Sequence, residues 1–362
     1  MNPLLELRQL GQSLWVDDIR RNWLADGTVR AWIEQDGLAG MTSNPAIFEK
    51  SIAGGEEYRD AVARLAAQGL APLAIYEALA IEDVRAAADL FRDVHGSTGG
   101  VDGYVSLEVS PLLADDTPGT LAEARRLWRA LDRPNAMIKV PATPAGLPVI
   151  RDLIADGINV NVTLIFGLGR YREVVEMFLQ GLERRAAQGQ PLAGVASVAS
   201  FFISRIDTLV DARLDAMGTA RARALRGRAA ISNARLAYKY FREWSCSERW
   251  QRLAAAGASA QRLLWASTST KDPAYDPLLY VEELAGPATV NTLPRATMEA
   301  YRQSGRPQVR IGHDLEGAAR CVAELASLGI DLEQAAEQLE REGVQKFVEP
   351  FERLMALLAR PA

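Results

Sequence analysis

The chain has 362 residues, 48% of them hydrophobic and 24% charged, with a formal net charge of -5. That is a globular composition, long enough for one large core or two medium ones. It lacks the basic stripe of a nucleic-acid binder, and no apolar run reaches the ~18 residues that a membrane span needs.

The N-terminal stretch MNPLLELRQLGQSLWVDDIRR has no basic region leading into an apolar core and a small-residue cleavage site, so it does not read as a signal peptide. Cys246 and Cys321 are the only cysteines and have no CxxC spacing. They are expected to be free thiols in a reducing cytoplasm. With only His95 and His313 in the chain, a histidine triad or a histidine-rich metal site is hard to build.

In chain order, strands are predicted at 13–19, 40–45, 104–110, 136–142, 158–166, 192–200, 262–270 and 288–294. Helical periodicity is strongest at 74–94, 120–131, 168–187, 204–217, 227–244, 314–329 and 332–359. Eight strand–helix alternations without a linker or a composition break predict a (β/α)8 TIM barrel in a single domain spanning 1–362. A helical insertion is expected at about 49–103, and a C-terminal helical extension at about 332–362.

Side chains alternate across a strand. In YVSLEVS, Val105, Leu107 and Val109 share one face, and Tyr104, Ser106, Glu108 and Ser110 the other. In AMIKVPA, Lys139 lies opposite Ile138 and Val140. In INVNVTLIF, Asn159, Asn161 and Thr163 oppose three aliphatic residues, and in SLWVDDI, Asp17 follows Ser13 and Trp15. With the apolar faces toward an outer ring of helices, Asp17, Glu108, Lys139, Asn161 and Thr163 converge on the interior. One buried lysine–carboxylate pair is as readily a structural ion pair as a site. Five inward polar residues on four strands favour a site, because an ordinary barrel interior is filled with branched aliphatics.

A neutral lysine amine can condense with a ketone, and the resulting iminium withdraws electrons from the adjacent C–C bond. This is class I aldolase logic. It needs a carboxylate at the sugar hydroxyl and a second acid/base group for the water steps, roles that suit Asp17 and Glu108, with Thr163 holding the water. No cofactor is required. Ser200 at a strand end, Arg205 at the next helix start, and Ser267, Ser269 and Lys271 in the following loop form a candidate phosphate site.

Five segments, MTSNPAIFEKSI, MIKVPAT, GINVNVTLIF, ASFFISRID and WASTSTKDPAYDPLLYVEELAGPATVNTLP, occur in an order that resembles the transaldolase family in its longer bacterial branch. The resemblance covers nearly the whole chain. It implies Lys139 as the Schiff-base lysine on the fourth strand, Asp17 as acid/base at the sugar hydroxyl, and Glu108 and Thr163 around the catalytic water. It also implies Asn44 and Asn161 on the dihydroxyacetone part, and Ser200, Arg205 and Ser267 on phosphate. The implied reaction transfers a dihydroxyacetone unit from sedoheptulose 7-phosphate to glyceraldehyde 3-phosphate in the non-oxidative pentose phosphate pathway. The expected partners are therefore small sugar phosphates, not nucleic acid or membrane, and monomer and homodimer both stay open. One departure stands out. Where many relatives have an Arg or Lys two residues after the serine matched to Ser267, this chain has Ser269, and the nearest cation is Lys271.

Other features have plainer readings. FGLGRY reads as a βα turn rather than a dinucleotide fingerprint. His95 is expected to end a helix, and His313 precedes the N-cap candidate Asp314. Trp23, Trp128, Trp244 and Trp250 are read as packing residues, and the four arginines of 221–228 as a solvated helix face. Two other functions compete with transfer: a lyase that protonates the enamine on the same barrel, and a non-catalytic sugar-phosphate binder. The binder has no need of the lysine.

Overall fold

The computed structural model describes residues 2–359; the last three residues of the expected C-terminal extension, 360–362, lie outside them. Eight parallel strands close into a barrel in chain order: β1 Gln12–Val16, β2 Gly40–Met41, β3 Tyr104–Glu108, β4 Ala136–Pro141, β5 Val160–Ile165, β6 Ser197–Phe202, β7 Arg262–Ala266 and β8 Thr289–Leu293. β8 pairs with β1 and closes the ring. The fold is the expected (β/α)8 barrel. Val105, Ile138, Val140, Val160 and Val162 are fully buried in the aliphatic layer, and helices surround the barrel.

Several boundaries differ from the expectation, each for a local reason. β2 is only two residues long, because Asn44 caps a helix over Pro45–Gly54 by accepting from the Ile47 amide at 3.0 Å, with Pro45 at the first helical position. Gly40 itself is required there: a Cβ would come within 2.6 Å of the Trp15 ring. β6 starts five residues later than expected and runs on through Phe202, since Gly194 turns the preceding segment with φ at +84°. β7 stops at Ala266, where Ser267 takes a left-handed φ of +58°.

Between β2 and β3 lie four helices, Pro45–Gly54, Glu56–Ala67, Pro72–Leu90 and Arg92–Ser97. His95 sits inside the last of these, edge-on to Tyr104 at 5.2 Å between ring centroids, rather than at its C-cap. The helix Gly146–Asp156 escapes sequence reading because PATPAGLP looks like loop. Its Pro148 falls in the first turn, where no intrahelical N–H is lost. The arginine run is not one solvated helix face. Only Ala220–Arg223 is helical, and Arg226 beyond it bridges Asp215 at 3.1 Å and Asp272 at 2.7 Å.

Trp244 and Trp250 pack with Phe178 and Phe241 in one aromatic cluster, and Trp23 packs on Trp32. Cys246 is exposed, Cys321 is buried, and both are free thiols. Among the described residues no helix is long and apolar enough to cross a membrane.

The N-terminal end of the barrel is plugged by a polar network. Ser13 donates to Asp102 at 2.7 Å, and Arg262 donates to both Ser13 and Asp102 at 2.7 and 2.9 Å. The opposite end stays open under the long helix Leu332–Leu358, which runs over the C-terminal ends of the strands and places Phe347 among the residues lining the cavity there.

Candidate active site

The parallel register sets a row of polar residues across three strands. Glu108 pairs with Lys139 between β3 and β4, and Lys139 with Asn161 between β4 and β5. Lys139 is buried. Its Nζ lies 3.1 Å from Glu108 Oε2 and donates to the Ser43 carbonyl at 3.1 Å. Burial pushes the Glu108 carboxyl up to about 7; Lys139 opposes that rise, and the Asp17 charge adds to it. Glu108 is therefore poised to gain or lose a proton near neutrality.

One cavity at the strand ends is lined by Asp17, Asn44, Lys139, Thr163, Ser200, Arg205 and Ser267. Asp17 follows the last residue of β1, held by its amide to the Leu293 carbonyl at 2.9 Å, and its carboxylate accepts from Thr42 at 2.8 Å. Thr163 is fully buried and its hydroxyl has no protein partner among the described residues. Asn44 uses its amide oxygen as a helix cap, and its amide nitrogen bonds no other described residue. Asn161 does not reach the cavity wall. It lies beneath, donating to Ser106 at 3.0 Å and accepting from Ser200 at 2.7 Å. Ser200 thus ties the cavity wall to the Asn161 amide beneath it.

Arg205 follows Ser204, the first residue of the helix Ser204–Met217, with its guanidinium 5.4 Å from the Phe202 ring centroid. Its Nη1 is buried and unpartnered among the described residues, and burial lowers its pKa. An anion is the natural ligand for such a group. The strained Ser267 holds its hydroxyl 2.9 Å from Ser204. Lys271 is not in the cavity wall. It donates to Ser269 at 2.8 Å, and partial desolvation, together with the Arg205 charge, lowers its pKa while Asp17 opposes. Among the described residues no group of three or more His, Cys, Asp or Glu side chains is arranged to hold a metal ion.

Sequence reading missed Thr42, Thr292, Phe202 and Phe347, which with Ala266 complete the cavity lining. Thr42 and Thr292, 2.9 Å apart, were within reach of strand-end reasoning. Nothing local could have found Phe347, which comes from the C-terminal helix.

A closed parallel barrel with its polar cavity at the carboxyl ends of the strands defines a (β/α)8 enzyme, with a buried lysine in the cavity wall. Residues 14–358 match the family described as Transaldolase/Fructose-6-phosphate aldolase. The chain is 48% identical over 354 residues to a protein named transaldolase from Parafrankia sp., covering 98% of this chain and 96% of the relative. It is 48% identical to transaldolase 1 of Streptomyces coelicolor (99% of this chain, 94% of the relative) and to a transaldolase of Thermobifida fusca (99% and 98%). The chain belongs to the transaldolase/fructose-6-phosphate aldolase family.

Proposed function

We propose that this chain is a transaldolase. It transfers a dihydroxyacetone unit from sedoheptulose 7-phosphate to glyceraldehyde 3-phosphate, giving erythrose 4-phosphate and fructose 6-phosphate. The observation that carries the reading is the buried Lys139 amine beside Glu108 at an open cavity, in a chain similar along its whole length to proteins named transaldolase.

The neutral Lys139 amine attacks the ketose C2 carbonyl, with Glu108 taking the amine proton and later helping water to leave. Thr163, with its free hydroxyl, orients that water. Asp17 then takes the proton of the C4 hydroxyl as the C3–C4 bond breaks, its electron pair passing into the iminium to form an enamine. The first aldose departs. The enamine attacks the incoming aldehyde, Asp17 returns its proton to the new alkoxide, and water releases the product. Asn44 serves the three-carbon unit, and Asn161 acts from beneath the cavity through Ser200. Ser200, Arg205 and Ser267 serve the phosphate, with Lys271 a secondary cation outside the cavity wall. All of this fits one barrel domain, and the free thiols fit a cytoplasmic setting.

The family description also covers an aldolase, which protonates the enamine and releases dihydroxyacetone. A product assay decides between them. Fructose 6-phosphate alone should give little free dihydroxyacetone, and added erythrose 4-phosphate should give sedoheptulose 7-phosphate. Rapid release of dihydroxyacetone without acceptor would make the chain a lyase. Borohydride with fructose 6-phosphate should add a stable mass to the peptide holding Lys139. A label elsewhere, or none, would overturn the lysine assignment.

A further inference from the structure

Among the described residues, Phe347 is the one aromatic ring that reaches the lysine from outside the barrel strands and their loops. It is buried, lines the cavity with Asp17, Thr163 and Arg205, and holds its ring centroid 5.6 Å from Lys139 Nζ. Its helix is fitted to bring it there. Gly343, one turn earlier on the same face, lies against Leu164 and Phe166, where a Cβ would already come within 3.0 Å of Leu164. Leu164 takes a left-handed φ of +60°, next to an irregularity in the β5–β6 register. Phe351, one turn later, packs edge-on to Tyr76 at 5.5 Å between ring centroids. Polar contacts pin the same helix along its length: Glu333 accepts from the Gly169 amide at 3.0 Å, Arg170 pairs with Glu340 at 2.9 Å, and Arg213 donates to Gln338 at 2.7 Å.

Building on the proposed Schiff-base reading, we infer that Phe347 holds the positive charge on the Lys139 nitrogen and so favours the covalent iminium over the neutral carbinolamine and enamine. The face of an aromatic ring attracts a cation within about 6 Å, more strongly when water is excluded. The nitrogen bears that charge once loss of water from the carbinolamine has made it an iminium. Glu108 faces the nitrogen from β3 at 3.1 Å; Asp17 and Arg205 share the cavity, and Lys271 stands beyond Arg205. Phe347 supplies cation stabilisation from the open side, where no carboxylate touches the nitrogen.

The test compares Phe347→Leu, which keeps an apolar side chain but removes the ring, with Phe347→Tyr, which keeps the ring. Lys139-bound mass after borohydride and saturating fructose 6-phosphate is the readout, with inhibition by inorganic phosphate reporting cavity integrity. The leucine variant should trap about five- to thirtyfold less adduct. Its phosphate inhibition should match that of the wild type, and the tyrosine variant should stay near the wild type in both. Equal trapping by wild type and the leucine variant overturns the inference. So does equal loss in both variants, or a parallel loss of phosphate inhibition, since either points to packing alone. A wild-type enzyme that takes no label at Lys139 removes the Schiff-base reading itself; a labelled wild type with an unaffected leucine variant removes only the role of Phe347.

Discussion

Lys139 and Glu108 face each other from adjacent strands in register, their charged atoms 3.1 Å apart and both side chains at least 95% buried. Burial holds the Glu108 carboxyl at about 7 despite the lysine beside it. Below that pH the group is protonated and cannot take the lysine proton; above it, it can. The rate of imine formation should therefore rise through about pH 7 and level off. Glu108→Gln should remove that rise and slow the step by about two decades. An unchanged pH profile of borohydride trapping in the variant would count against the assignment.

Asp17 touches the cavity from the end of β1, where among the described residues only Thr42 bonds its carboxylate. Asp17→Ala should slow release of erythrose 4-phosphate from sedoheptulose 7-phosphate by about two to four decades. Trapping of the imine by borohydride should fall far less. Single-turnover measurement of both steps checks this, and equal loss would deny Asp17 its place at the C4 hydroxyl.

Arg205 has a buried guanidinium nitrogen with no partner among the described residues, whereas Lys271 is exposed and outside the cavity wall. Arg205→Ala should raise KM for phosphorylated substrates by about ten- to a hundredfold, the scale of one or two charge-assisted hydrogen bonds. Lys271→Ala should raise it less. Steady-state kinetics with phosphorylated and free sugars distinguish a phosphate effect from general damage, because the free sugars should be indifferent to both changes.

At the other end of the barrel, Arg262→Ala would take from the buried Asp102 carboxylate its only cation among the described residues, leaving it the Ser13 hydroxyl. Breaking such a pair should cost about 3 kcal/mol of stability. Urea unfolding would show it, with kcat unaltered because the network lies beneath the strands rather than at the cavity. A stable variant with impaired turnover would contradict this division of the barrel into a structural floor and a reactive mouth.

The residues near Lys139 in the fold were legible in sequence because strand alternation is a local rule. Once Ile138 and Val140 face the helices, Lys139 must face inward, and Glu108 and Asn161 follow by the same parity. The order of eight strand–helix units likewise determined the barrel. Strand ends were less legible, because caps and left-handed residues decide them: Asn44 stops β2 and Ser267 stops β7. The position of Lys271 needed the course of its loop, and sequence spacing left it unresolved.

The sequence by itself determined the alternation, the inward lysine and the family motifs, since each depends on neighbours within a few residues. Only the tertiary structure decided which distant side chains close the cavity. Phe347 stands 208 positions after Lys139 in the chain, and no local pattern relates them. Their meeting depends on how a helix packs over a barrel mouth, with Gly343 against Leu164 and Phe351 against Tyr76. Packing of this kind is settled by shape across the whole molecule, which periodicity along the chain does not encode.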